Sequence, residues 1–403
     1  MLLELLVAVM LGICGGVITG VTPGLHINLV ATVLLSISPF LLPFFPALAL
    51  AAFIIAMSIT HTFTDSIASI YLGAPDSDMV MAILPGHKLL LEGKGYEAVK
   101  LATKGGVLCL VVMVALSPLL IFLVPRIYTA SQQFIGIGLL IISVFMILRE
   151  NGLEKKFLAL FVFVMAGVLG LFTFALPSLE QPLFPLLSGL FGVSTLMLGL
   201  STRVKIPEQR ITEDITIEKG EMVKATAAGV ASGGLLSIFP GLGPAQAAIL
   251  AGQFYKSMSA PIYLVVVGGI NTVGMVMSLI TLLTIEKARN GSIVVVQELL
   301  QSFTLQLFAV SIAVALLSGG IATIVTLWLA RKCSTMLNRV NYSAISVGII
   351  VFIAVLAIIL DGVPGLFVLG VATSIGMLPV LLNVGRNHAM GVLLLPVMLY
   401  FLL

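Results

Sequence analysis

Apolar residues occur in long runs along this chain, separated by short polar stretches. A helix needs about 20 apolar residues to cross a bilayer. Such runs fall at 44–72, 105–124, 132–148, 157–173 and 183–200. They recur at 261–284, 303–330, 343–360, 365–382 and 388–403. Two more apolar stretches, 2–38 and 225–255, are interrupted at Pro23-Gly24 and Pro240-Gly241. The first predicts two arms, 2–22 and 25–38. Residues 76–104 carry Lys88, Lys94, Lys100 and Lys104 among apolar positions and predict an amphipathic segment. Residues 201–224 are the most polar stretch. The pattern predicts an all-α polytopic membrane protein with a first transmembrane repeat at 1–200. A cytoplasmic polar linker follows at 201–224, then a second transmembrane repeat at 225–403.

The two interrupted stretches resemble each other. Gly12, Gly16, Pro23, Gly24 and Leu25 align without gaps on Gly229, Gly233, Pro240, Gly241 and Leu242. Cys14, Gly15 and Gly20 fall opposite Ala231, Ser232 and Ser237, so small residues recur as well. Proline removes a backbone donor and clashes with the preceding turn, and glycine lets the chain change direction. A break inside a membrane is tolerated only where protein or a water-filled cavity satisfies the freed backbone groups. Matched broken helices in two halves point to a transporter binding site.

Composition supports the membrane assignment: 60% of residues are hydrophobic and 9% charged, against about 25% charged in soluble domains. The net charge of +3 is scattered through short loops, which argues against nucleic acid as a partner. Cys14, Cys109 and Cys333 form no spaced pair, so neither a disulfide framework nor a metal site is indicated. The N-terminus lacks a basic region and reads as part of the mature fold.

Charge placement predicts topology, because cytoplasmic loops hold the excess of Lys and Arg. Basic residues concentrate at 85–104, at 149–156 and at 201–224, whereas 125–131 holds only Arg126 and 174–182 none. Arg331, Lys332, Arg339 and Arg386 extend the alternation into the second half. It is satisfied if each broken element is a re-entrant hairpin followed by about five spans, with the halves in opposite orientation. The loop at 285–302 then lies outside although it holds Lys287 and Arg289. The alternative is twelve full crossings in two parallel repeats.

Helix N-termini following the breaks offer unpaired N–H groups and about half a positive charge, which suits an anion. Candidate substrate-binding residues are Thr22, Pro23, Gly24, Leu25, His26 and Asn28 at the first break. At the second they are Pro240, Gly241, Leu242, Gly243 and Gln246. His61, Thr62, Thr64 and Asp65 lie together within an apolar span, where ionisable groups mark function by default. Aligning Phe53 with Tyr263 places His61 and Thr62 on Asn271 and Thr272. His61, Thr62, Asp65, Asn271 and Thr272 are candidates for a coupling-ion or substrate site: oxygen ligands suit Na⁺, and His61 or Asp65 can carry a proton. The competing role is hydrogen bonding between helices. Tyr71 and Asp76 are expected to mark the membrane interface, and His87 and His388 to be solvated in loops. Gly268-Gly269 and Gly319-Gly320 are expected to allow close helix packing.

The paired Gly-rich runs ending in Pro-Gly-Leu, at Gly12–Asn28 and Gly229–Gln246, resemble the TctA family, the large membrane subunit of tripartite tricarboxylate transporters. The resemblance implies uptake of carboxylates such as citrate, driven by a Na⁺ or H⁺ gradient. Full systems of this kind include a small membrane subunit and a periplasmic binding protein. At 403 residues the chain is similar to the compact stand-alone type, which leaves those partners and the tricarboxylate identity open.

The function expected is secondary active transport of a small organic anion by a multi-pass protein of the cell membrane, alone or as a homo-oligomer. The alternative is a polyprenyl-phosphate translocase on a similar scaffold. No nucleophile–base pair or ligand cluster supports an enzyme. No P-loop supports ATP coupling, and no cofactor is expected beyond Na⁺ as coupling ion.

Overall fold

The computed structural model describes residues 2–22, 27–72, 79–201, 207–238, 243–254, 258–337 and 342–403. The described residues are overwhelmingly helical. Eight of their helical stretches are long and apolar enough to cross a membrane, making this a multi-pass membrane protein.

The centre is formed by α3 (Ala47–Ile67), which continues as a π turn over Ala68–Leu72, and by α12 (Ala260–Ile285). Both are buried on every side. Residues 49–67 of α3 are buried except Phe53, and residues 264–282 of α12 except Gly274.

Glycines set how closely the neighbours approach. Helix α1 (Leu2–Val21) lies on α3. Side chains added at Gly12, Gly16 and Gly20 would strike Ala56, Thr60 and Asp65 in turn. Residue numbers rise together, so α1 and α3 run parallel. In the second half α10 (Lys219–Leu236) repeats this on α12, with Gly229 against Val266 and Gly233 against Val273. Helix α5 (Gly95–Ser131) crosses α12 with backbones in contact: β-carbons at Gly105 and Gly268 would overlap the carbonyls of Val265 and Ala102. Gly319 on α14 (Leu305–Leu337) faces Ile59 and Phe63 of α3. Gly269 also lies at a close contact, against Cys109, whereas Gly320 has nothing within 4 Å.

The remaining helices exchange partners between the halves. They are α6 (Ile135–Leu148), α7 (Leu153–Phe174), α8 (Leu183–Leu187), α9 (Ser194–Ser201), α15 (Tyr342–Leu381) and α16 (Gly391–Leu402). A π turn over Ser188–Val193 joins α8 to α9. Helix α16 packs on α7 through Gly167, Gly170 and Gly391. The α8–α9 segment packs on α15 through Gly189 and Gly376. Helix α15 is broken at Gly362, which has φ 65°. A β-carbon at Gly365 would lie 2.7 Å from the carbonyl of Ala357. Residues eight apart in a continuous helix are separated by about 12 Å, so the two legs fold back on each other. The two runs read at 343–360 and 365–382 are these legs.

Three sequence expectations change. The segment 76–104 and the span 105–124 are not separate. A short α4 (Ile83–Leu91) is followed by the single 37-residue α5, which continues through Pro118 and Pro125. Its charged start is held by the linker. Buried Glu97 accepts from Ile215 N at 2.6 Å and from Thr212 Oγ1, and Gln209 Oε1 accepts from Gly95 N at 3.0 Å. Tyr71 is buried and donates to Ala330 O at 3.0 Å, packed against α14. His388 is fully buried beside Glu150, whose Oε1 lies 2.9 Å from both His388 Nε2 and Gly385 N. His87 is half-buried, with Nδ1 3.2 Å from Ile70 O. For Tyr71 and His388 the partner lies in the other half of the chain. Asp76 lies outside the described residues.

Burial raises the proton affinity of Glu150, but the Gly385 N–H and His388 outweigh it, and its carboxyl sits below the ordinary value. Its stabilising effect is therefore complete above the ordinary carboxylate pKa and is lost as pH falls through the lowered one. Thermal unfolding in detergent should find Glu150→Gln less stable than wild type at pH 7, the gap closing below about pH 4. By the same assay Gly268→Val should cost about 1–3 kcal/mol or more through overpacking. Gly320→Ala, in open space, should be nearly neutral. Equal stability for both glycine variants would refute the close crossing.

Candidate functional site

The crossing of α3 and α12 gathers the polar groups read from the sequence. Asn271 Nδ2 donates to Asp65 Oδ2 at 2.6 Å. Thr62 Oγ1 and Thr272 Oγ1 are 3.2 Å apart. Each hydroxyl also reaches a carbonyl one turn back on its own helix, Thr62 that of Ile59 at 2.8 Å and Thr272 that of Gly268 at 3.4 Å. All four polar residues are at most 4% exposed. Thr62 and Thr272 are the pair aligned between the halves, so equivalent positions meet at the centre.

His61 faces α1, with Nδ1 3.0 Å from Thr19 Oγ1. Thr19 Oγ1 also lies 3.2 Å from Gly16 O. Thr64 Oγ1 donates to Gly16 O at 3.0 Å. Thr19 belongs to this layer with Thr64 and was not singled out from the sequence. The signal available was a hydroxyl one turn from the matched glycines. Further along α3, Ser58 Oγ donates to Ser292 Oγ at 2.9 Å. Ser292 lies on α13 (Gly291–Leu300), a helix inside the stretch read as a loop at 285–302. Asn290 caps it by accepting from Ser292 N, and Ile293 and Val296 are buried. That cap before an apolar run was a readable helix start.

Described residues on the flanks of both interrupted stretches lie near this centre. Gly20, near the end of α1, abuts Asp65. Gly274 on α12 has Ser237 Oγ at 3.5 Å and Pro244 Cγ at 3.7 Å from a β-carbon position, one on each side of the second break. Pro23, Gly24, Leu25, His26, Pro240, Gly241 and Leu242 lie outside the described residues. Thr22 is half-buried, its N–H donating to Ile18 O. Asn28 opens α2 (Ile27–Leu41) and its Oδ1 accepts from Ser292 N at 3.0 Å. Gly243 O accepts from Ala247 N at the start of α11 (Pro244–Phe254). Gln246 is on α11, its side chain outside the described set.

Fold and site together define a polytopic helical membrane protein with a buried polar centre where its two most buried helices cross. The profile of the tripartite tricarboxylate transporter TctA family matches residues 6–391. The chain belongs to this family, and so to a class of membrane transporters. It is similar to an uncharacterized protein of Methanocaldococcus jannaschii, with 28% identity over 403 residues, covering 98% of this chain and 99% of the relative. No solved structure matches it.

The Asp65–Asn271 bond joins the two halves where no lipid or bulk water competes. A double-mutant cycle with Asp65→Ala and Asn271→Ala, read by thermal unfolding, should give a coupling of about 1–3 kcal/mol. Additive effects would mean that the two side chains do not interact.

Proposed function

We propose that this chain is a secondary active transporter of a small organic anion, of the di- or tricarboxylate type. Transport is coupled to a Na⁺ or H⁺ gradient, and the anion is held between the two Pro-Gly breaks. The observation that carries this is the meeting of Asp65, Asn271, Thr62 and Thr272 near the flanks of both breaks. Oxygen-rich side chains at one buried point suit Na⁺, and Asp65 or His61 suits a proton. The anion would take N–H groups of α2 and α11 at their N-termini, which need no buried Lys or Arg.

Support for an inverted repeat with re-entrant hairpins comes from helix directions. Asp65 meets Asn271, whereas Ser58, earlier on α3, is linked through Ser292 and Asn290 to Ser278, later on α12. The two central helices therefore run in opposite senses, each with its parallel partner, α1 or α10. Because α1 and α3 are parallel, the intervening α2 must return. Contacts between loops also agree with the charge rule. Arg331 stacks on Tyr96, and Glu150 meets His388, all on the basic side. Gln181 N donates to Asp361 on the other.

The test is uptake of labelled citrate into proteoliposomes under imposed Na⁺ or H⁺ gradients. Wild type should accumulate the anion, Asp65→Asn should lose gradient-driven accumulation, and Gly24→Val or Gly241→Val should lose at least tenfold in uptake. Unchanged ion dependence in Asp65→Asn would make the carboxylate structural. Binding of a polyprenyl phosphate without carboxylate uptake would favour a lipid-phosphate translocase.

A further inference from the structure

Lys287 and Arg289 follow the end of α12, on the side that the charge rule reserves for few cations. They converge on one residue, Tyr128 near the end of α5. Lys287 Nζ donates to Tyr128 Oη at 3.0 Å and lies 5.1 Å from the ring centroid. Arg289 Cζ lies 5.2 Å from the same centroid. Neither cation forms an ion pair with a carboxylate of the described residues. Nε and Nη2 of Arg289 are buried and donate to no acceptor there. Those two N–H groups form the edge of the guanidinium that takes a carboxylate side-on. A buried guanidinium edge with no acceptor is costly unless an anion completes it.

The surroundings fix this arrangement and link it to the first break. Arg289 N and Asn290 N both donate to Ser278 Oγ, at 2.9 and 3.1 Å, which ties the loop to α12. The next residues open α13, whose N-terminus adds positive potential. Ser292 N donates to Asn28 Oδ1, just past the first break.

We infer that Lys287 and Arg289, covered by Tyr128, form a second anion site that captures a polycarboxylate from the outer face and passes it toward the first break. The proposal rests on the transport function proposed above for the substrate class, and on the two cations for the place. Rotation of the Tyr128 side chain uncovers the guanidinium edge, and the exposed Lys287 makes first contact. A pair of cations focuses an anion and raises its local concentration.

The experiment measures thermal unfolding of the purified full chain in detergent as citrate is added at constant ionic strength. Wild type should be stabilised saturably. Lys287→Gln and Arg289→Gln should each raise the half-saturating citrate concentration about tenfold. Arg289→Lys, which keeps the charge but not the two-pronged edge, should fall between. Lys287 is exposed, so its variant carries the test if Arg289→Gln does not fold. An unchanged half-saturation in Lys287→Gln, or no stabilisation of wild type, overturns the site. Tighter binding of inorganic phosphate than of citrate overturns the carboxylate class. Citrate binding that depends on Lys287 in a wild type that accumulates no citrate supports this site and counts only against the transport function.

Discussion

Backbone contact between helices governs this fold. In a membrane, apolar side chains gain little by leaving lipid, so close packing and hydrogen bonds must hold helices together. Gly105 and Gly268 let α5 and α12 touch through main chain. Gly12, Gly16 and Gly20 do the same for α1 on α3, and Gly167, Gly170 and Gly391 for α7 and α16. Removing the β-carbon at each crossing brings many atoms into van der Waals range, where each pair gains only about 0.1–0.2 kcal/mol.

Such packing seals the centre, and sealing dictates how its polar groups behave. Hydroxyls of Thr62 and Ser66 donate to carbonyls of their own helix. Asp65 and Asn271 instead reach across the two halves. Thr62 and Thr272, which align in the sequence, are in contact. The adjacent aligned positions are unlike, His61 on α3 and Asn271 on α12. One half thus faces its broken helix with an imidazole, and the other offers an amide to a carboxylate.

The linker and loops follow a related rule. Polar side chains that look solvated in sequence are buried when distant parts of the chain supply their partners. Glu97 is bound by the linker, His388 by Glu150, and Tyr71 by α14. Each joins residues more than 100 positions apart, so local sequence offers no cue to the pairing.

The sequence alone determined the class, nearly all the long apolar helices, the matched Gly-rich breaks and the polar residues of the central helices. These are local signals: hydropathy needs a run of about 20 residues, a break needs Pro-Gly, and buried charge is conspicuous in apolar surroundings. It did not reveal the continuity of α5, since two prolines and a charged start read as boundaries. Nor did it reveal α13, whose ten residues are too few to register as a span. Only the tertiary structure decided that Asp65 meets Asn271, that Thr62 meets Thr272, and that the terminal helices of the two halves exchange partners. Those contacts depend on which helix faces cross and how closely. Helices α3 and α12 are buried on every face, so hydropathy cannot encode a direction of contact. Glycine marks where a crossing is allowed, and the packing of the whole chain selects the partner.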